Sequence, residues 1–301
     1  MSPHRSARRV AALAAGVLLA VAACSSDPAT TTSVSTVVPS ATTALAPATT
    51  PPATTTPAPM TSDVAATTPD STIAAAPAPA APITIRGTAY TFNTPDPIVG
   101  AEIRVAELPD VSATTGADGA YELAVPVGAP VTPYIVAAGH HTIYLQTFAT
   151  TGGDLSEVNF QTPSDDVYDA LYGLLQVFLG KGPIDDGCVI VSTVSDAKVV
   201  GMTFAQFIAF HPHGVAGVLA GGLPALPPPI YFNDAVLPDQ SQTSTSGDGG
   251  VIWANVPVGV YQVGAKPAAA DDTRSFATFT ATCEAGRIIN ANPPWGLHGR
   301  P

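Results

Sequence analysis

Two stretches of the chain say nearly the same thing: TTGADGAYELAVPVG from Thr114 to Gly128, and TSTSGDGGVIWANVPVG from Thr243 to Gly259. The phrase admits few structures. In the first copy Tyr121, Leu123 and Val125 alternate with Ala120, Glu122 and Ala124, the period-two pattern of a strand buried on one face. Asp118-Gly119 ahead of it is a tight-turn dipeptide, because glycine accepts positive φ and aspartate hydrogen-bonds its own turn. Pro126 and Gly128 behind it stop the strand and turn the chain. The phrase therefore encodes turn, strand, turn, and a chain that carries it twice is expected to carry one structural unit twice. From Asp-Gly to Pro the second copy is longer by one residue, which predicts a bulge in the register of one copy.

The flanks continue the pattern. Ile83, Ile85 and Gly87 of ITIRGTAY share one face. Ala101, Ile103 and Val105 share another, with Glu102 and Arg104 opposite. PYIVAA, HTIYLQTF and LSEVNF follow, and short strands at this spacing with turn signals between them imply an all-β sandwich. After residue 183, CVIVSTV is expected as a first strand, PIYFND, VIWANVPV and GVYQVGAKP as inner strands, and SFATFTATC and RIINAN as the last. Between Val199 and Pro229 the pattern weakens: MTFAQFIAF reads as strand or short helix, GLPALPPP as loop.

Gly100-Ala101, Ile103, Val105, Thr114, Thr115, Asp118, Gly119, Tyr121, Leu123, Pro126, Gly128 and Ala138-Gly139-His140 together resemble the carboxypeptidase regulatory-like domain. The resemblance covers roughly residues 83–162 and implies a prealbumin-like (transthyretin-like) β-sandwich. Its motifs are structural, and the domain in that family is non-catalytic. The region 183–301 looks like a divergent relative. It holds Cys188 in its expected first strand and Cys283 in a late one, and such strands lie close together in a prealbumin-like sandwich. A Cys188–Cys283 disulfide is expected in an oxidising compartment, against the alternative of two buried thiols.

One amphipathic helix is expected between the two, within 164–182. Ser164 caps it, Asp165 and Asp166 lie in its first turn, and Gly180 ends it. Val167, Leu171, Leu174, Leu175 and Phe178 form its apolar stripe, which Tyr168, Tyr172 and Val177 widen. The stripe is expected to pack against both sandwiches.

The N-terminus sets the compartment. Arg5, Arg8 and Arg9 precede VAALAAGVLLAVAA, an apolar run of 14 residues that is signal-peptide length and short for a membrane span. It closes on Val21-Ala22-Ala23-Cys24, which resembles the bacterial lipobox and implies that Cys24 is acylated and becomes the first residue of the mature chain. The expected organisation is then a lipoprotein signal peptide (1–23), a disordered Thr/Pro/Ala-rich stalk (24–82), a first sandwich (83–163), a connecting helix (164–182) and a second sandwich (183–301). The expected location is the extracytoplasmic face of a cell membrane, held there by the acyl anchor.

The formal net charge is −12. Without residues 1–23, which hold three arginines and no acid, 8 basic residues face 23 acidic ones. That excess argues against nucleic acid and against docking on anionic lipid. The sequence shows no Gly-x-Ser-x-Gly, His-Glu-x-x-His or phosphate-cradling loop. Asp165-Asp166, Asp185-Asp186 and Asp271-Asp272 read as caps and turns. His211 and His213 in the 199–229 insertion are the weak candidates for a metal. The intradiol ring-cleaving dioxygenases, a distantly similar sandwich, hold iron with two Tyr and two His, but no Tyr pair here has that spacing. Adjacent His140 and His141 point to opposite faces of a strand. Trp253 and Trp295 are the aromatics able to stack on sugars, or else fill core. The reading is a non-enzyme with no catalytic residues, metal or cofactor, displaying its modules for adhesion or for an envelope glycan or protein. The alternative is an extracytoplasmic enzyme or enzyme accessory with its site in the 199–229 insertion.

Overall fold

A computed structural model describes residues 81–301. The expected leader, the expected lipidation at Cys24 and the expected stalk through residue 80 lie outside the described residues. The first strands are β1 (Ile83–Thr91), β2 (Glu102–Val105), β3 (Leu108–Thr114), β4 (Ala120–Val125), β5 (Pro130–Val131), β6 (Pro133–Ala137), β7 (His140–Tyr144), β8 (Phe148–Ala149) and β9 (Phe160–Thr162). Helix α1 (Asp165–Leu179) leads to β10 (Cys188–Thr193), helix α2 (Phe204–Ala209), β11 (Val218–Leu223), β12 (Ile230–Phe232) and β13 (Pro238–Asp239). The chain ends with β14 (Gly250–Val256), β15 (Gly259–Pro267), β16 (Phe279–Cys283) and β17 (Ile288–Ala291).

The repeated phrase forms β4 and β14, and both sit in the same triplet. β4 runs antiparallel to β1, which runs parallel to β9. β14 runs antiparallel to β10, which runs parallel to β17. In β4 the alternation is strict: Tyr121, Leu123 and Val125 are buried and their neighbours exposed. The extra residue of the second copy appears as a register shift between Cys188 and Ile190 against β14. Asn255 there takes φ 51°. Its amide holds the incoming connection: Oδ1 accepts from the Asp186 N–H at 3.0 Å and Nδ2 donates to the Gly182 carbonyl at 3.0 Å.

The expectation of two sandwiches joined by a helix is corrected in one respect, because strands of both halves share a single sheet. Its order is β13-β12-β14-β10-β17-β7-β6-β2-β3. The joint is a parallel pairing of Ile289 with Tyr144, reinforced by the Thr147 N–H donating to the Thr280 carbonyl at 2.8 Å. The physical reason is that β7 and β17 would otherwise be neighbouring open edges, and pairing satisfies their backbone groups. The register puts Tyr144 and Ile289 on one face and Ile143 and Ile288 on the other.

That register separates two cores. On one face lie Ile85, Ile103, Leu123, Ile135, Ile143 and Phe160 under the small sheet β4-β1-β9. On the other, Ile190, Trp253, Val263, Phe279, Ala281 and Ile289 pack under the small sheet β11-β15-β16. Full burial of each large apolar side chain contributes about 1.5–3 kcal/mol relative to exposure. The Cys188–Cys283 disulfide ties β10 to β16, and so one sheet of the second core to the other, with a Cα–Cα distance of 5.7 Å.

Helix α1 starts and stops where its caps dictate. Ser164 Oγ accepts from the Val167 N–H, Asp165 and Asp166 occupy the first turn, and Gly180 ends it at φ 69° with its N–H on the Gln176 carbonyl. Of the expected stripe, Leu175 is buried while Leu171 and Tyr172 are half-exposed. Val177 is corrected outright: it is 81% exposed. The helix stands off the sheet, because a cavity lies beneath it. In the 199–229 insertion MTFAQFIAF resolves as a helix, α2, with a Thr203–Gln206 capping box. The strand β11 beside it was not expected, since its Ala220-Gly221-Gly222 core lacks the β-branched signal.

Candidate functional site

The strand β10 carries apolar side chains on both faces. Cys188 and Ile190 enter the second core, while Val189 and Val191 belong to the other cluster. The outer face of this half of the sheet, formed by Val189, Val191, Ile252, Phe232 and Ile288, is the floor of a cavity of about 810 Å³. Tyr168, Leu171, Tyr172 and Leu175 of α1 form one wall. Tyr90, Phe92, Gln161 and Pro163 of the neighbouring small sheet form another, and Phe207, Ile208, His211 and His213 of the insertion a third.

The walls are tied to one another and to the floor. Tyr90 packs its ring 4.9 Å from that of Phe204 on α2. Asn290 Nδ2 donates to the Gln161 carbonyl at 3.2 Å, which pins the floor to β9. His141 stacks on Tyr168 at 3.5 Å, which holds α1 to β7. Tyr90 is 2% exposed and lines the cavity, and its hydroxyl has no hydrogen-bond partner among the described residues. Burial pushes its phenol well above the usual tyrosine range, so it stays a neutral O–H donor.

The carboxylates and imidazoles that line the cavity gather at one end. Along β10 the floor runs from Val189 beside Ile288, through Val191 beside Ile252 and Asn290, to Thr193 beside Gly250. Asp248 precedes Gly250 and accepts its N–H at 3.0 Å. Asp234 accepts the Gly247 N–H at 2.8 Å. The His213 carbonyl accepts from the Asp196 N–H just past Thr193, and Gly214 lies so close against the Asp248 backbone that a Cβ there would collide with it. His211, His213, Asp234 and Asp248 thus share the Thr193 end. Burial raises the Asp248 carboxyl above its ordinary range, the Gly250 N–H opposes this, and Asp234 adds to it.

His213 stacks on Phe207 at 4.1 Å, and its Nε2 donates to the Phe207 carbonyl at 2.9 Å. Burial holds its pKa below the ordinary value, the Phe207 carbonyl opposes this, and His211 adds to it. The two histidine rings lie 4.5 Å apart. Among the described residues no three His, Cys, Asp or Glu side chains converge as a metal site. His140 and His141 diverge: His140 Nε2 bonds Thr91 Oγ1, and His141 meets α1. Neither tryptophan lines the cavity. Trp253 is fully buried in the second core, and Trp295 lies edge-on to Phe148 with Nε1 donating to the Ser156 carbonyl at 3.0 Å.

Sequence reasoning named His211 and His213 and missed the floor. A signal for it exists in CVIVSTV, whose apolar residues do not alternate, as befits a strand covered on both faces. Tyr90 carries no such signal.

No protein-family model matches the chain, and no curated protein matches it. Among solved structures the chain is similar to the Bacillus anthracis TIE protein at 13% identity and TM-score 0.22, over 72% of this chain and 34% of that one. It therefore spans about a third of that protein's length. It is similar to the minor pilin GBS52 of Streptococcus agalactiae at 10% identity and TM-score 0.23, over 73% and 97%. It is also similar to a cohesin–X-dockerin complex of Acetivibrio cellulolyticus at 16% identity and TM-score 0.25, over 38% and 79%. At these TM-scores the likeness carries no argument about this chain's architecture or role.

Proposed function

We propose that this chain is a non-catalytic binding module on the extracytoplasmic face of a cell membrane, held by an acyl group on Cys24 and displayed on the stalk of residues 24–82. Its strands are of the carboxypeptidase regulatory-like, prealbumin-like kind, and its ligand site is the cavity beneath α1. The observation that carries the reading is that cavity: about 810 Å³, mainly apolar, with its carboxylates and imidazoles at one end. This is the size and lining of ligand pockets in general. Three of its polar side chains are engaged in holding loops, His213 on Phe207, Asp248 on Gly250 and Asp234 on Gly247. That supports binding over turnover.

The test uses the neutral apolar fluorophore N-phenyl-1-naphthylamine with residues 25–301. Its emission rises with the native chain, and Leu171→Trp, which fills the cavity from α1, removes the rise. A response that survives both Leu171→Trp and Ile208→Trp refutes the site. An enzyme with its site in the insertion remains the second reading, because Phe207, Ile208, His211 and His213 line the same cavity. Turnover of a bound compound, lost in His211→Ala/His213→Ala, would establish it instead.

A further inference from the structure

The lining of the cavity specifies the charge of what enters it. Among the described residues no Lys or Arg lines it, whereas Asp234 and Asp248 do, both at the Thr193 end. Asp248 is half-buried with the exposed Asp234 near it, and no cation touches either carboxylate among the described ion pairs, so the cost of burial falls on Asp248. A buried negative group without a counter-charge is costly and is relieved by a cation. The aromatic rings of Phe207 and Phe232 stand beside the same end, and ring faces favour cations. An anionic head there would meet two carboxylates on a chain of net charge −12. The opposite end offers Val189, Ile288, Leu175 and Ile184, which accept only apolar surface. The side wall adds Tyr90, a buried residue whose neutral hydroxyl is a hydrogen-bond donor.

We infer that the cavity takes an amphipathic cation: an apolar body laid along β10 toward Val189 and Ile288, and an ammonium-type head between Asp248 and Asp234. The inference rests on the binding reading above and adds the class of ligand. His211 and His213 flank the head. Anionic amphiphiles such as fatty acids are the class the site rejects.

Three probes with one apolar body separate the contributions: decyltrimethylammonium, decanol and decanoate, titrated calorimetrically into residues 25–301 below their aggregation limits. The cation binds most tightly, and decanoate binds at least about ten-fold more weakly, the factor expected for exchanging attraction by two carboxylates for repulsion. Asp248→Asn with Asp234→Asn narrows the gap between cation and alcohol without removing the binding of either. Leu171→Trp and Ile208→Trp, on different walls, each abolish binding of all three while the melting transition is retained. Decanoate binding as tightly as decyltrimethylammonium overturns the charge assignment and leaves the cavity reading standing. Absence of binding by all three, or binding untouched by both tryptophan variants, overturns the cavity reading and this inference with it.

Discussion

Gly119 and Gly249 occupy the same corner in the two copies of the repeated phrase. Their φ angles are +75° and +79°. The Gly119 carbonyl accepts from the Ala89 N–H of β1 at 2.9 Å, and the Gly249 carbonyl from the Val194 N–H just beyond β10 at 2.8 Å. A Cβ on either would collide with the carbonyl oxygen of that same partner residue. The aspartate before each caps its turn, Asp118 on the Ala120 N–H and Asp248 on the Gly250 N–H. The repeat is thus one of atomic contacts as well as letters.

Gly119→Ala and Gly249→Ala are expected to destabilise the fold by more than about 2 kcal/mol each, since a left-handed backbone costs an L-residue about 1–2 kcal/mol before any collision. Gly128→Ala is the control: its φ is +88° but nothing lies within 4 Å of the added carbon, so only the conformational cost of about 1–2 kcal/mol applies. Urea midpoints measure all three. Equal losses at the three positions would remove the steric part of the argument.

The disulfide is the second expectation. Cys188 and Cys283 stand 95 residues apart and join the two sheets of the second core. Closing a loop of that length constrains the unfolded chain, and its loss typically costs about 2–5 kcal/mol. Cys188→Ser/Cys283→Ser should lower the urea midpoint accordingly, with the denaturant slope rising as the unfolded chain expands. Two alkylatable thiols in the unfolded, unreduced protein would show that the bond does not form.

Much of this was legible from the letters, and the reasons are local. Alternation placed Tyr121, Leu123 and Val125, and the one-residue surplus after Asp248 announced the bulge at Asn255. Ser164 and Gly180 fixed the helix because caps are single-residue chemistry. The pairing of Tyr144 with Ile289 was not legible, since it joins two edges whose own sequences ask only for a partner. Nor was the cavity: Val177 and Leu171 look alike in a helical stripe, and only the third dimension sets one over solvent and the other over a void. His211 and His213 were singled out for a metal. Their place at the Thr193 end of an apolar cavity comes from the bridge between Ser195 and Gly214 and from the Asp196 N–H donating to the His213 carbonyl, contacts between segments distant enough in sequence that local patterning does not announce them.

The proposed anchor is tested at Cys24. Val21-Ala22-Ala23-Cys24 after a short apolar run is the motive. The mature native chain should carry an acyl mass on an N-terminal Cys24 peptide and fractionate with membranes. Cys24→Ala should lack that mass and lose the acyl anchorage. An unmodified Cys24 in the mature native protein would end this part of the proposal.

Acid sensitivity follows from the histidines. Burial is the first cause that holds His141, His213 and His298 below the ordinary value of 6.5. Asp165 and Asp169 oppose it at His141, the Phe207 carbonyl opposes it at His213, and Arg300 adds to it at His298. A folded-state pKa below the unfolded one means the unfolded chain takes up protons first. Stability is therefore full above the unfolded value and declines as pH falls through 6.5 toward the lower folded values. Asp248 acts with the opposite sign, since its carboxyl is raised from 3.8 and its burial cost disappears as it protonates, but from that starting point its effect belongs to more acid solution. The melting temperature should thus fall between pH 7.5 and 5.5. His213→Gln should flatten the decline, from a melting temperature at pH 7.5 lowered by loss of the stacking on Phe207. A melting temperature that holds or rises on acidification across this interval would mean that the three imidazoles are no harder to protonate in the fold than in the open chain.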